Sequence, residues 1–79
     1  MSPEQQKWTE EQISRADRFT VVMFVGLADG LYDKRWTSSL REARLVRRDM
    51  LAEYGDTNYR RRPMIYAVVP PIDLTIFVE

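Results

Sequence analysis

The side chains best equipped for chemistry in this chain are arginines. Ten of its twelve basic residues are Arg, and seven of them (Arg41, Arg44, Arg47, Arg48, Arg60, Arg61 and Arg62) lie between positions 39 and 63. Only four acids, Glu42, Asp49, Glu53 and Asp56, share that stretch. A guanidinium makes planar two-point contacts with carboxylate or phosphate, so the concentration points to recognition of an anionic group. At helical spacing Arg41, Arg44 and Arg48 gather on one flank, with no acid three or four residues away in the helix to neutralise them. Arg60, Arg61 and Arg62 follow in a polar loop, where charge is cheap to hold. These six form a candidate partner- or nucleic-acid-binding face whose grip should weaken as salt rises. The plainer alternative is a solvated helix edge. Arg47 falls instead within the apolar sector of the same helix. Its stem is expected to lie across the sheet edge, or its guanidinium to pair with a buried acid, Asp33 being the first candidate.

Other chemistries lack their parts. The chain has no Cys and no His, which removes disulfides, thiol chemistry, the usual zinc ligands and the commonest general base. No two carboxylates are placed by a motif to share acid–base work, and there is no Gly-rich phosphate loop. No catalytic, cofactor-binding or metal residue is expected, and the protein reads as a non-enzyme. Trp36, Tyr32 and Tyr59 are candidate stacking platforms for single-stranded nucleic acid, with cross-strand packing as the alternative. Twelve acids balance twelve bases. That neutrality argues against a general nucleic-acid binder and equally against an acidic DNA mimic. No apolar run approaches the ~20 residues that span a bilayer, and the opening MSPEQQKW has neither the basic start nor the apolar stretch of a signal peptide. A cytoplasmic location is the expectation.

Positioning these residues falls to a single 79-residue domain, with an N-terminal helical segment at 1–18 and a sheet-plus-helix body at 19–79. The first segment has two overlapping starts: Ser2-Pro3, and a capping box of Thr9 with Gln12 flanked by Trp8 and Ile13 as a staple. The second is preferred, giving a helix of about 9–18. Phe19–Val25 is β-branched and aromatic throughout and apolar on both faces, as in a central strand. Asp29-Gly30 signals a tight hairpin turn into a return strand, Leu31–Thr37. Ser39–Gly55 reads as the main helix, with Ser39 and Glu42 as capping box, Gly55 as the exit, and Leu40, Ala43, Val46, Met50, Leu51 and Tyr54 on its core side. Met64–Val69 and Leu74–Val78 are the last strands, separated by Pro70-Pro71. The predicted fold class is α+β, in the order α-β-β-α-β-β, with a four-stranded antiparallel or mixed sheet packed against one amphipathic helix. Val22, Phe24, Tyr66, Val68 and Phe77 alternate away from that helix. They form a candidate second apolar face, only partly covered by the N-terminal helix and available for dimer contacts.

The pattern FTVVMFVGLADGLYDKRWTSSLREARLVRRDML…RRPMIYAVVP, covering roughly residues 19–70, resembles short uncharacterised phage and mobile-element proteins. Its marks are a strand, a D-G turn, a short strand, an S-L-x-E-A helix and an I-Y-A-V-x-P strand. In size and layout that group is similar to the phage-encoded inhibitors of host defence, such as anti-CRISPR proteins. The resemblance implies a small, cofactor-free inhibitor that covers a surface on a host protein or ribonucleoprotein complex, or on its nucleic acid. It brings no site residue with it. The expected partners are therefore a host complex or nucleic acid, with a homodimer as the third alternative and no membrane.

Overall fold

Alternation of apolar side chains along Arg18–Phe24 builds the centre of the sheet. Phe19, Val21 and Met23 turn to one side and are buried, as a period of two requires. A computed structural model describes residues 2–24, 32–54 and 62–79. Its elements are α1 (Pro3–Arg15), β1 (Arg18–Phe24), β2 (Tyr32–Thr37), α2 (Leu40–Tyr54), β3 (Met64–Val69) and β4 (Leu74–Phe77). The sheet order is β2-β1-β3-β4 with every neighbouring pair antiparallel. The fold is α+β, and the sheet is antiparallel rather than mixed. Because β2 and β3 both run opposite to β1, they are parallel to each other, and α2 carries the chain between them across one face.

That face holds the core. Phe19, Val21, Met23, Ile65 and Ala67 from the strands meet Ala43 and Met50 of α2, and Leu40 and Val46 pack against the same cluster. Leu51 is only half-buried and Tyr54 is exposed. α1 joins from the other end: Ile13 and Ala16 pack against the cluster while α2 crosses β1, β2 and β3. Two helices therefore cover one face between them, where a single helix was expected. The N-terminal helix does not turn to the second face.

The helix starts differ from expectation for local reasons. Ser2 caps α1, with Gln5 N–H donating to Ser2 Oγ and Ser2 N–H to Gln5 Oε1, and Pro3 follows at the first helical position. Nothing between Glu4 and Arg15 breaks a helix, so starting at Pro3 adds hydrogen bonds that a start at Thr9 would forgo. Thr9 instead donates its hydroxyl to Gln5 O inside the helix, and Trp8 is exposed rather than stapled. At α2, Ser39 Oγ accepts from Glu42 N–H as expected, but Glu42 reaches back one residue further, to Ser38 N–H and Ser38 Oγ. Those contacts hold the Glu42 carboxyl below its ordinary range, the Ser38 hydroxyl first and its backbone N–H second. Val25, the Asp29-Gly30 turn, Leu31 and Gly55 lie outside the described residues.

At the end of β4 two residues oppose one. Val78 N–H and Glu79 N–H both reach Ile65 O, and Ile65 N–H donates to Glu79 O. This bulge changes the alternation. Val78 joins the core cluster, and Glu79, which strict alternation would place on the opposite face, pairs with α2.

Candidate functional site

The geometry of the Arg-rich helix follows from that bulge. Glu79 Oε1 lies 2.6 Å from Arg44 Nε and 3.2 Å from Arg47 Nη2, and Arg44 Nη2 reaches Glu79 Oε2 at 3.3 Å. The Arg44 contact leads in holding the Glu79 carboxyl below its ordinary range, and the Arg44 guanidinium rises in return. Arg44 has no acid at helical spacing within α2, and strand or loop acids such as Asp33 or Asp73 were the candidates to neutralise it; the carboxylate that does so is Glu79, standing where an anionic ligand would bind. Arg47 was expected to meet Asp33 if it paired at all, and its partner is also Glu79. Arg48 lies 3.7 Å from Asp49, both well exposed, and Arg41 is exposed. Arg62 is exposed and lines a pocket of about 330 Å³ with Arg47, Leu51, Pro63, Met64 and Glu79. Arg60, Arg61 and Tyr59 lie outside the described residues. The structure thus brings Arg62 to the same pocket as Arg47 and Glu79.

Asp33 belongs to a second charged cluster on the helix side. Arg35 donates to both its oxygens, Nε to Oδ1 at 3.3 Å and Nη2 to Oδ2 at 2.9 Å, and Tyr54 Oη donates to Oδ2 at 2.6 Å. Arg35 also reaches Glu53 Oε2 at 2.6 Å. Arg35 first, then Tyr54, pulls the Asp33 carboxyl below its ordinary range, and the bond to Asp33 raises the Tyr54 phenol. Asp33, Glu42 and Glu79 all titrate below their unfolded values. Their contribution is therefore complete above the ordinary carboxylate range and is lost as pH falls through the folded values. Thermal melts should be flat above about pH 5 and fall below about pH 4. Glu79→Gln should flatten part of that acid slope; an unchanged slope would show that the Glu79 pairs do not persist in solution. Tyr54 runs the other way: its bond contributes below the unfolded phenol value and is lost as pH rises through the raised one.

The opposite face of the sheet carries neither helix. In the ladder Thr20 stands opposite Trp36 on one side and Tyr66 on the other, and Tyr66 stands opposite Phe77. Trp36, Thr20, Tyr66 and Phe77 therefore form one row across all four strands, three of its four members aromatic. Trp36 and Phe77 are each 54% exposed. The Tyr66 and Phe77 rings meet edge to face at 5.7 Å, a favoured geometry for aromatic pairs, and Tyr66 Oη donates to Met64 Sδ at 3.8 Å. Two cations stand over Trp36: Lys34 Nζ at 4.8 Å and Arg18 Cζ at 5.2 Å from the ring centroid. Arg18 also meets Asp73 at 3.4 Å across an exposed gap. Lys34 has no carboxylate within 4.0 Å among the described residues. Arg18 Nε and Thr20 Oγ1 are buried without a hydrogen-bond partner.

The expected second face is therefore present, with a richer composition. Val22 and Tyr66 are half-buried on it, Val68 is buried, and Phe77 is exposed. Phe24 holds a ladder position opposite Tyr32, and the side chains of both lie outside the described set. Trp36, predicted as a stacking platform, sits on this same face. Arg18, Thr20, Lys34 and Met64 were not singled out. Beginning β1 at Arg18 instead of Phe19 would have placed Arg18 outward with Val22 by alternation alone.

Compared with known proteins, the chain matches no family model, no curated protein and no solved structure. Fold and surface alone define its class: a small α+β domain with one sheet face covered by two helices and the other, among the described residues, open, aromatic and flanked by cations. Among the described residues no helix is long and apolar enough to cross a membrane, and no three acidic side chains cluster as a metal site.

Proposed function

We propose that this protein is a non-enzymatic binding module that occupies a surface on a host nucleoprotein complex, and that its working surface is the open sheet face. The observation that carries this reading is the row Trp36–Thr20–Tyr66–Phe77, with two large aromatic side chains more than half exposed and Arg18 and Lys34 beside them. Exposed aromatics next to Arg are the composition of binding surfaces, where large flat side chains supply contact area at low entropic cost. A narrower version, an inhibitor of a host defence complex of the anti-CRISPR type, is supported by the sequence resemblance. The Arg41/Arg44/Arg48 edge is the weaker candidate, because Glu79 already meets Arg44.

Affinity capture from a host lysate, with and without nuclease, tests the assignment of the surface. Trp36→Ala/Phe77→Ala should lose most of the retained complex, while Arg41→Glu/Arg48→Glu should keep it. Retention by the aromatic double variant at the wild-type level would overturn the assignment.

A further inference from the structure

We infer that the ligand of the open face is single-stranded nucleic acid, with bases stacked along the aromatic row and phosphates drawn to Lys34 and Arg18. This deepens the preceding proposal and rests on its choice of surface. Three features of the face favour a single strand over an apolar protein partner.

The first is spacing. Trp36 and Phe77 are three strand spacings apart, about 14 Å, with the buried Thr20 and the half-buried Tyr66 between them. An open four-stranded antiparallel face with two or three aromatic side chains is the geometry on which two or three unstacked bases can be spread. The second is charge. The chain is neutral overall, yet three of its carboxylates, Asp33, Glu53 and Glu79, are engaged with Arg35, Arg44 and Arg47 on the helix side. On the open face the one carboxylate in contact with a cation among the described residues is Asp73, at an exposed 3.4 Å from Arg18. Beside Trp36 two cations thus stand against one carboxylate among the described residues, and it is the local charge that a phosphate meets. The third is the arrangement of the cations. Lys34 and Arg18 both stand over the Trp36 π surface, a pairing that a stacked base and its phosphate can extend, and of the two only Arg18 also meets a carboxylate among the described residues. Duplexes fit poorly, since their bases are paired and stacked on one another.

The test uses fluorescence anisotropy with labelled oligothymidylate and oligouridylate of about 12 nucleotides, a length in the range that one small domain covers, and a duplex of the same length. Both single strands should bind at about 50 mM salt and weaken by about 200 mM, with the duplex at least tenfold weaker. The ratio of the two single-strand affinities reports whether DNA or RNA is preferred. Trp36→Ala and Phe77→Ala should each weaken binding about 5- to 150-fold, Trp36→Phe should recover part of the loss, and Lys34→Gln should lower the salt slope by about 0.7. Melting curves of each variant confirm folding; if Trp36→Ala does not fold, Trp36→Phe and Lys34→Gln carry the test.

No binding of either single strand at low salt would overturn the inference, as would binding that these variants leave unchanged. Capture that survives nuclease and still depends on Trp36 and Phe77 would identify a protein ligand and overturn this inference alone. Self-association that depends on those two residues, seen by light scattering, would do the same in favour of a second copy. Capture independent of both residues would overturn the choice of surface as well.

Discussion

Ile65→Ala should lower the unfolding free energy by about 2–5 kcal/mol, read as a drop in the urea midpoint with the slope unchanged. Ile65 is fully buried, stands opposite the equally buried Val21, and belongs to the cluster that α2 covers. Its truncation removes three carbons at the centre of the sheet and leaves a void. For a chain of this length the whole stability is on the order of 4–12 kcal/mol, so the variant should be near the limit of folding. Met23 and Met50 line the same cluster and are flexible enough to fill part of the gap, which favours the lower half of the range. A loss under about 1 kcal/mol would mean that the site collapses almost completely.

Ala43→Leu tests the same interface from the other side. Ala43 has no exposed surface and lies where α2 meets the strands; a methyl there lets helix and sheet approach closely. Added methylenes must displace the helix or force neighbouring rotamers, at a cost of about 1–3 kcal/mol. Leu45→Ala, on an exposed position of the same helix, should stay within about 0.5 kcal/mol. If Ala43→Leu proved neutral and Leu45→Ala costly, the helix would be rotated relative to the packing described.

Much of this packing was legible in the sequence. The alternation of Phe19, Val21 and Met23, the run Met64–Val69, and the Leu40, Ala43, Val46, Met50 spacing each fixed a buried face because one short-range period governed it. The second apolar face followed from the same alternation. The failures have physical causes. Two overlapping capping signals began α1, and choosing between them needed the helix interior as well as the caps. The Arg44–Glu79 and Arg47–Glu79 pairs depend on a bulge, and a one-residue shift in register changes the face of every later side chain. The grouping of Arg18, Lys34 and Trp36 depends on how β1 registers with β2, which no local pattern specifies. Sequence alone therefore led to the Arg-rich helix edge, whereas the three-dimensional arrangement draws attention to a face on which, among the described residues, two basic side chains stand beside Trp36.

The strand order β2-β1-β3-β4 also sets a timetable for synthesis. β1 and β2 are neighbours in the chain and in the sheet, so they can pair as soon as both have emerged. The other edge of β1 stays open while α2 and residues 55–63 are made, because its partner β3 begins only at Met64. Until then the apolar side of α2 has two strands to cover instead of three, and an unpaired central edge is available to other chains. The sheet described therefore waits on Met64 to Glu79, which supply β3, β4 and the Glu79 contacts that fasten α2.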